Sequence, residues 1–366
     1  MIIEKNYFIK GGKISMSSKI LLKFLGGCLA LFIVMGIAVN KAEAGAVVAS
    51  GSTETPASQI IVPVIQEGFS CKTEGSVSRN TLVQLTNTSE SEVTVHIQFL
   101  DEAGCTEVNF FDTFTGEDTH VYDLGNCAVN GGAPGSCPID TDRNGVMVFT
   151  PVVSGQDNAD AKAFNHLHAV VDITTEGPAD CWDGDDDPID YTFRFNAAGR
   201  LAVDLTTGNL LEDDTVLDGA ATGLQTILPS ELMYHYNSNF ADANDGAVYA
   251  DLIVVAISDD YTIPNEYKAV NGITANFSIN NIVDDFENSI SCGDRQFECL
   301  EVVGINTAIT RIDDAHDTPD IICDETDHPT GYDRLVARPD ATAAATVAVL
   351  GVYTSDFGGA AHVFAE

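Results

Sequence analysis

Basic residues are scarce in this sequence, and it holds a single tryptophan. Its 366 residues include 17 lysines and arginines against 55 aspartates and glutamates, which gives a formal charge of −38 at pH 7. Such a field repels nucleic acid and anionic membrane surfaces, so we expect neither as a partner. We expect partners that are neutral or cationic, which includes metal ions held by carboxylate oxygens.

Common catalytic motifs are also missing from the sequence. It has no G-x-S-x-G nucleophile elbow, no H-E-x-x-H zinc helix and no glycine-rich phosphate loop between a strand and a helix. Aspartate is so abundant that no particular carboxylate pair stands out for glycoside hydrolysis. These absences favour a non-enzymatic protein, and a secreted polysaccharide hydrolase is the alternative.

The N-terminus carries the one long apolar run, from Phe24 to Val39. Lys19 and Lys23 precede the run, and Ala42-Glu43-Ala44 follows it as an A-x-A cleavage site. This order predicts a secretory signal peptide over residues 1–44. An uncleaved anchor stays open as an alternative, because the run is only slightly shorter than the roughly 20 apolar residues of a membrane-spanning helix.

Translation is expected to start at Met16, because residues 1–15 do not suit a signal peptide. Lys10-Gly11-Gly12 fits a purine-rich stretch of the kind that recruits ribosomes, which also implies a bacterial source. After cleavage the mature chain would hold 11 basic and 53 acidic residues. It has no further run long enough to span a bilayer, so we expect export without membrane insertion, to the cell surface, the extracellular space or the periplasm.

Eight of the nine cysteines lie beyond the predicted leader. An even number of cysteines in an exported chain predicts disulfides, and the missing C-x-x-C pair argues against zinc. Sequence alone allows many pairings. Short loops favour Cys71–Cys105, Cys127–Cys137 and Cys292–Cys299, which leaves Cys181–Cys323.

Short β-branched or alternating segments dominate from residue 59 onward. Pro63 within the first segment is typical of an edge strand. The predicted strands are Ile60–Ile65, Thr81–Thr86, Val93–Leu100, His120–Leu124, Val146–Val153, Leu167–Thr174, Tyr191–Phe195, Val248–Ile257, Ile273–Ile279, Leu300–Ile305 and Ala343–Tyr353.

Asn87 to Glu92 is a polar connection between two alternating segments, Thr81–Thr86 and Val93–Leu100, and predicts a hairpin. This unit resembles the immunoglobulin-like sandwiches of exported bacterial proteins. The predicted fold class is therefore all-β, as one or more disulfide-stapled immunoglobulin-like β-sandwiches with long acidic loops. Folds of this kind host many activities, so the resemblance implies no functional residue.

The mature chain divides into four segments by composition. Residues 45–58 read as a flexible leader and residues 59–205 as a β-sandwich domain. Residues 206–245 are an irregular connection, with a short helix predicted within Leu224–Tyr236 from the start signal Pro229-Ser230-Glu231. Residues 246–366 form a second β-rich region, which either stands as a separate domain or completes the first.

Two acidic loops are candidate Ca²⁺ sites, because hard carboxylate oxygens suit that ion. In the first, Asp140, Asp142 and Asn144 precede Gly145 as in a calcium loop, but Pro151 replaces the glutamate that closes an EF-hand. An ordinary turn between strands is the alternative. The second loop follows Trp182 and offers the carboxylates of Asp183, Asp185, Asp186 and Asp187. A solvated surface loop is its alternative.

Three further features carry candidate binding chemistry. Alternation along a strand places His166, His168 and Asp172 on one face, as a transition-metal site would require. Trp182 offers a stacking platform for a sugar, which keeps a carbohydrate-binding module open, although core packing is the alternative. The acidic stretch Asp313–Asp333 surrounds Cys323 and reads either as an ion site or as a polar loop held by a cystine.

Together these patterns predict an exported, non-enzymatic protein that acts by binding, adhesion or assembly outside the cytoplasm. Ca²⁺ is the expected ion, and an extracellular protein or glycan is the expected partner.

Overall fold

The computed structural model describes residues 55–66, 68–70, 75–101, 107–131, 139, 143–155, 159–178 and 189–225, and beyond them the strands that start at residue 231. The predicted signal peptide and residues 45–54 of the predicted leader lie outside these residues, as does nearly all of the acidic stretch Asp313–Asp333. Beyond residue 225 we describe backbone pairing alone.

The described residues form β-strands joined by turns and contain no helix, which confirms the all-β prediction for this part of the chain. Among them, no helix is long and apolar enough to cross a membrane. The strands are β1 (Gln59–Val64), β2 (Phe69–Ser70), β3 (Ser76–Asn87), β4 (Val93–Asp101), β5 (Glu107–Phe114), β6 (Thr119–Asp123), β7 (Ala128–Val129), β8 (Gly145–Val152), β9 (Leu167–Gly177), β10 (Ile189–Asn196), β11 (Ala198–Arg200), β12 (Ala202–Asp204), β13 (Thr222–Leu224), β14 (Glu231–Asn237), β15 (Val248–Ser258), β16 (Thr274–Asp284), β17 (Ser289–Ile290), β18 (Asp294–Glu298), β19 (Leu300–Gly304), β20 (Thr330–Pro339) and β21 (Ala345–Ser355).

Two antiparallel sheets hold the first eleven strands. The first sheet has the order β11-β1-β8-β4-β5, and the second has the order β10-β9-β3-β6-β7 with β2 beside β3. Inward side chains of both sheets join one hydrophobic core. For example, the ring centroid of Phe149 in the first sheet lies 5.7 Å from that of Tyr122 in the second. Burial of this shared apolar surface is the main force that holds the two sheets together.

The sequence predicts an edge strand at Pro63, but β1 is an inner strand, between β11 and β8. The three residues of β11 pair with Gln59 to Ile61 and reach no further along β1. Pro63 is therefore paired on one side, with Val146 of β8. A proline fits there because it has no N–H to donate, and on the unpaired side no ladder hydrogen bond needs one.

The predicted hairpin between β3 and β4 is wrong, although both strands exist. β3 pairs with β6 and β9 in the second sheet, whereas β4 pairs with β5 and β8 in the first. The connection 88–92 crosses from one sheet to the other instead of turning back. Polar residues suit both kinds of connection, so composition alone does not separate them.

A buried polar row crosses the first sheet on the face turned away from the second sheet. Arg200, Gln59, Thr150 and His96 are adjacent by strand register, and each is 1% exposed or less. Arg200 donates to Gln59 at 3.1 Å, and Gln59 donates to Thr150 at 3.0 Å. Buried polar groups of this kind need partners, so the row fixes the register of β11, β1 and β8.

The later strands form three more antiparallel sheets: the pair β12-β13, and two sheets with the orders β14-β20-β16-β17 (β18 beside β16) and β19-β15-β21. The helix predicted within Leu224–Tyr236 is wrong for its described part, because Glu231–Asn237 is a strand paired with β20. Tyr234 and Tyr236 with Met233 suit a strand, and pairing outweighs the weak start signal. The division into segments at residues 205 and 245 stays a prediction.

Candidate functional site

Of the predicted ligands in the two calcium loops, the structure describes Asn144. Asn144 is 7% exposed, and its Oδ1 accepts a hydrogen bond from the backbone amide of Gln66 at 2.9 Å. Asn144 Oδ1, which the sequence predicts to bind Ca²⁺, thus binds the backbone of the segment that follows β1. Asp140, Asp142, Asp183, Asp185, Asp186 and Asp187 lie outside the described residues, as does Trp182, so these sites stay predictions.

Two residues of the predicted histidine site, His166 and Asp172, have different partners. His166 lies in the turn before β9, and its Nε2 is 3.2 Å from Oδ2 of Asp213. Asp172 lies within β9, where Arg194 holds its two oxygens at 2.7 Å each. His168 shares the outward face of β9 with Asp172. Because Asp172 already neutralises Arg194, it has little capacity left for a metal ion.

Among the described residues, no group of three or more His, Cys, Asp or Glu side chains is arranged to hold a metal ion. Several of the described carboxylates stabilise turns instead. Asp218 accepts the amides of Ala220, Ala221 and Thr222, and these hydrogen bonds lower its pKa to about 2. Asp204 accepts the amides of Thr206 and Thr207, which also lower its pKa.

Among the described residues, four titratable side chains meet where β5 of the first sheet adjoins β6 of the second. His120 Nδ1 is 2.7 Å from Oδ2 of Asp112, and its Nε2 is 3.2 Å from Oδ2 of Asp118. The phenol of Tyr122 donates to the same Asp112 oxygen at 2.7 Å. We name these four residues, His120, Asp112, Asp118 and Tyr122, the His120 cluster.

Burial distinguishes the members of the His120 cluster. Tyr122 is 1% exposed, and burial followed by the charge of Asp112 raises its pKa, so the phenol stays a donor. Asp118 is more open. The hydroxyl of Thr115, the amide of Thr119 and the charge of His120 lower its pKa, which keeps it ionised.

The sequence analysis missed the His120 cluster. His120 and Tyr122 alternate on one predicted strand, which places them on one face. Asp112, however, lies on β5, which was not predicted as a strand. Without that strand nothing in the sequence brings Asp112 beside His120.

A polar corner adjoins the His120 cluster and joins connections that cross between the sheets. Asn87 is fully buried, and its Nδ2 donates to the carbonyls of Ser91 and Thr115 at 2.7 and 2.9 Å. Its backbone amide donates to the carbonyl of Asp118 at 2.8 Å. Thr88 donates to the carbonyl of His166 at 2.9 Å. The connections 88–92, 115–118 and 153–166 therefore meet at one end of the two sheets.

The described polar groups mainly hold turns and connections of the two sheets in place.

Comparisons of the chain with protein-family models, with curated proteins and with solved structures found no match.

Proposed function

We propose that this chain is an exported, non-enzymatic protein that acts by binding, adhesion or assembly at the cell surface or outside the cell. The observation that carries the proposal is the use made of the carboxylates. Asp118, Asp204 and Asp218 bind the amides of their own turns, and Asp172 binds Arg194. Carboxylates that bind backbone amides and an arginine in this way stiffen a scaffold that presents loops. The predicted signal peptide supplies the route of export.

The proposed architecture is a sandwich of the first and second sheets, supported by their common hydrophobic core. In an immunoglobulin domain the first strand lies beside the second, whereas here β1 lies beside β8. We therefore propose the sandwich in the broad sense, with disulfides as its staples. Cys127 is 5% exposed in the turn after β6, and its pairing with Cys137 is part of this proposal.

Ca²⁺ is the proposed stabilising ion, held by the acidic loops around Asp140 and Asp185. An ion that binds the folded state alone must raise its melting temperature. A higher melting temperature in millimolar Ca²⁺, reversed by a chelator, is expected. Equal melting temperatures with and without Ca²⁺ would remove the ion from the proposal and leave the scaffold function standing.

Cell fractionation with N-terminal sequencing tests the export on which the function depends. The expected result is a protein outside the cytoplasm that begins near Gly45 and has no free thiols. A cytoplasmic protein that keeps its leader and has nine titratable thiols would overturn the proposal. A screen of glycan and ester substrates separates scaffold from hydrolase, because reproducible turnover lost in an Asp→Asn variant would establish an enzyme.

Binding is tested directly with the mature chain on a glycan array and on extracellular protein preparations. Saturable binding to one class of ligand is expected. If a glycan is bound, Trp182→Ala distinguishes a carbohydrate-binding module, in which this change abolishes binding, from attachment through another surface.

A further inference from the structure

His120 lies between two carboxylates that belong to different parts of the fold. Asp112 comes from β5 of the first sheet, and Asp118 comes from the connection that crosses to the second sheet. The imidazole also stacks on Phe114, with ring centroids 4.1 Å apart. Its side chain is 13% exposed, so water offers little replacement for these contacts.

The two contacts of His120 require two protons on one ring. A neutral imidazole donates through one nitrogen and presents a lone pair at the other. Because each nitrogen here faces a carboxylate oxygen, both N–H···O hydrogen bonds exist together in the imidazolium form alone. After loss of one proton, one nitrogen lone pair would face a carboxylate oxygen, and that contact must open.

The neighbouring groups decide which contact opens. Asp112 is held a second time by the phenol of Tyr122. Asp118 lies at the longer distance of 3.2 Å and is more exposed, with 34% of its side chain accessible. The titratable groups facing His120 are thus Asp112 from β5, Asp118 from the connection and, through Asp112, Tyr122. We expect Asp118 to be released first.

Asp118 also belongs to the polar corner. Its carbonyl accepts the backbone amide of Asn87, and the neighbouring Glu117 donates its amide to the carbonyl of Ser89 at 2.8 Å. Movement of Asp118 therefore loosens the place where the crossing connections meet.

We propose that His120 is a proton-dependent clasp, which in its imidazolium form closes the two sheets together at the β5–β6 connection and on deprotonation releases Asp118. Acidic surroundings tighten this end of the protein, and alkaline surroundings loosen it. The device goes beyond the proposed scaffold function and does not depend on export or on Ca²⁺.

The test compares thermal unfolding of the wild type and His120→Gln at two pH values, with His168→Gln as the matched control on β9 of the same sheet. The loss in melting temperature caused by His120→Gln should be larger by about 2–4 °C at about pH 5.5 than at about pH 9. His168→Gln should give the same small loss at both pH values. A His120→Gln loss that is equal at both, or larger at the higher pH, would overturn the clasp.

A second measurement keeps the proposal open to refutation if His120→Gln fails to fold. Nitrogen-15 NMR of the histidine rings in the wild type reports the proton on each nitrogen directly. At about pH 5.5 both nitrogens of His120 should carry a proton. In Asp118→Asn the ring should lose its second proton at a lower pH than in the wild type. A neutral His120 ring at that pH would refute the clasp.

Discussion

The ammonium group of Lys162 lies 2.6 Å from Oδ1 of Asp214. The lysine side chain is 11% exposed, whereas that of the aspartate is 75% exposed, so the pair neutralises an inner charge from an outer loop. Asp214 reaches this position with a left-handed backbone, at φ 66°. Its amide also donates to the carbonyl of Ala163 at 2.9 Å, so backbone and side chain clamp the same segment.

Replacing Asp214 by asparagine should weaken this clamp without disturbing the backbone, because asparagine tolerates left-handed φ values. Lys162 would keep its burial and lose its counter-charge. We expect a decrease of about 1 kcal/mol in the free energy of unfolding, the upper end for a pair that is open to solvent on one side. Denaturant unfolding measures the change.

Asp213→Asn is the matched control for Asp214→Asn. Asp213 pairs with His166, and both side chains are about two-fifths exposed. Its loss should be smaller, within roughly 0.5 kcal/mol. Equal losses for the two variants would contradict the role assigned to the buried lysine.

Strand positions were predictable from the sequence wherever one face of a strand is buried. β3 alternates cleanly over Thr81–Asn87, and the structure buries every second residue there. β5 was not predicted because its apolar residues neither alternate nor form a continuous β-branched run. Phe110 lies toward Tyr122 of the second sheet, while the adjacent Phe111 stacks on His96 at 4.6 Å on the opposite face. Two consecutive aromatic residues erase the period of two.

Pairing between strands was harder to predict than the strands themselves. The β3–β4 connection resembles a hairpin loop in length and polarity. What distinguishes it is the buried Asn87, which binds the carbonyl of Ser91 within the connection and that of Thr115, 28 residues away. The His120 cluster has the same origin. Each of its residues is ordinary in sequence, and the site exists because β5 and β6 belong to different sheets.

Asn87→Ala should be among the more costly polar substitutions in the protein. It removes the two hydrogen bonds that the buried Nδ2 donates to the carbonyls of Ser91 and Thr115. We expect a loss of about 2–3 kcal/mol in the free energy of unfolding. Asn109→Ala is the control, since Asn109 is exposed and should cost within about 0.5 kcal/mol. A loss at Asn87 no larger than at Asn109 would refute the corner as a brace.

Thr150→Val tests the buried polar row of the first sheet. The change keeps the shape of the side chain and removes the hydroxyl that accepts from Gln59 at 3.0 Å. A loss of about 1–2 kcal/mol is expected from thermal or denaturant unfolding. Thr113→Val makes the same change at an exposed position of β5 and should be nearly neutral. If Thr150→Val proves neutral too, the row does not contribute to stability.

The turn carboxylates predict how stability depends on acidity. The pKa of Asp218 is lowered in the folded protein to about 2, so its hydrogen bonds stabilise the fold above the pKa of the unfolded chain, 3.8. That stability is lost as the pH falls through the folded-state value. The difference in melting temperature between the wild type and Asp218→Asn should therefore shrink as the pH is lowered from about 4 to about 2.

Asp160→Asn provides the control for this titration, because Asp160 is exposed. Its difference from the wild type should change less over the same interval. A gap between Asp218→Asn and the wild type that grows on acidification would contradict the assigned role of Asp218.

The position of β1 has a consequence for how the chain folds. Strand β1 pairs with β8, where Ile60 lies opposite Phe149, and with β11, which ends at Arg200. Both partners therefore lie far along the chain from β1. Such distant pairings give a high contact order and slow folding. A nascent chain that ends before Arg200 lacks the strand that completes the first sheet. We therefore expect this sheet to close only after β11 has been synthesised.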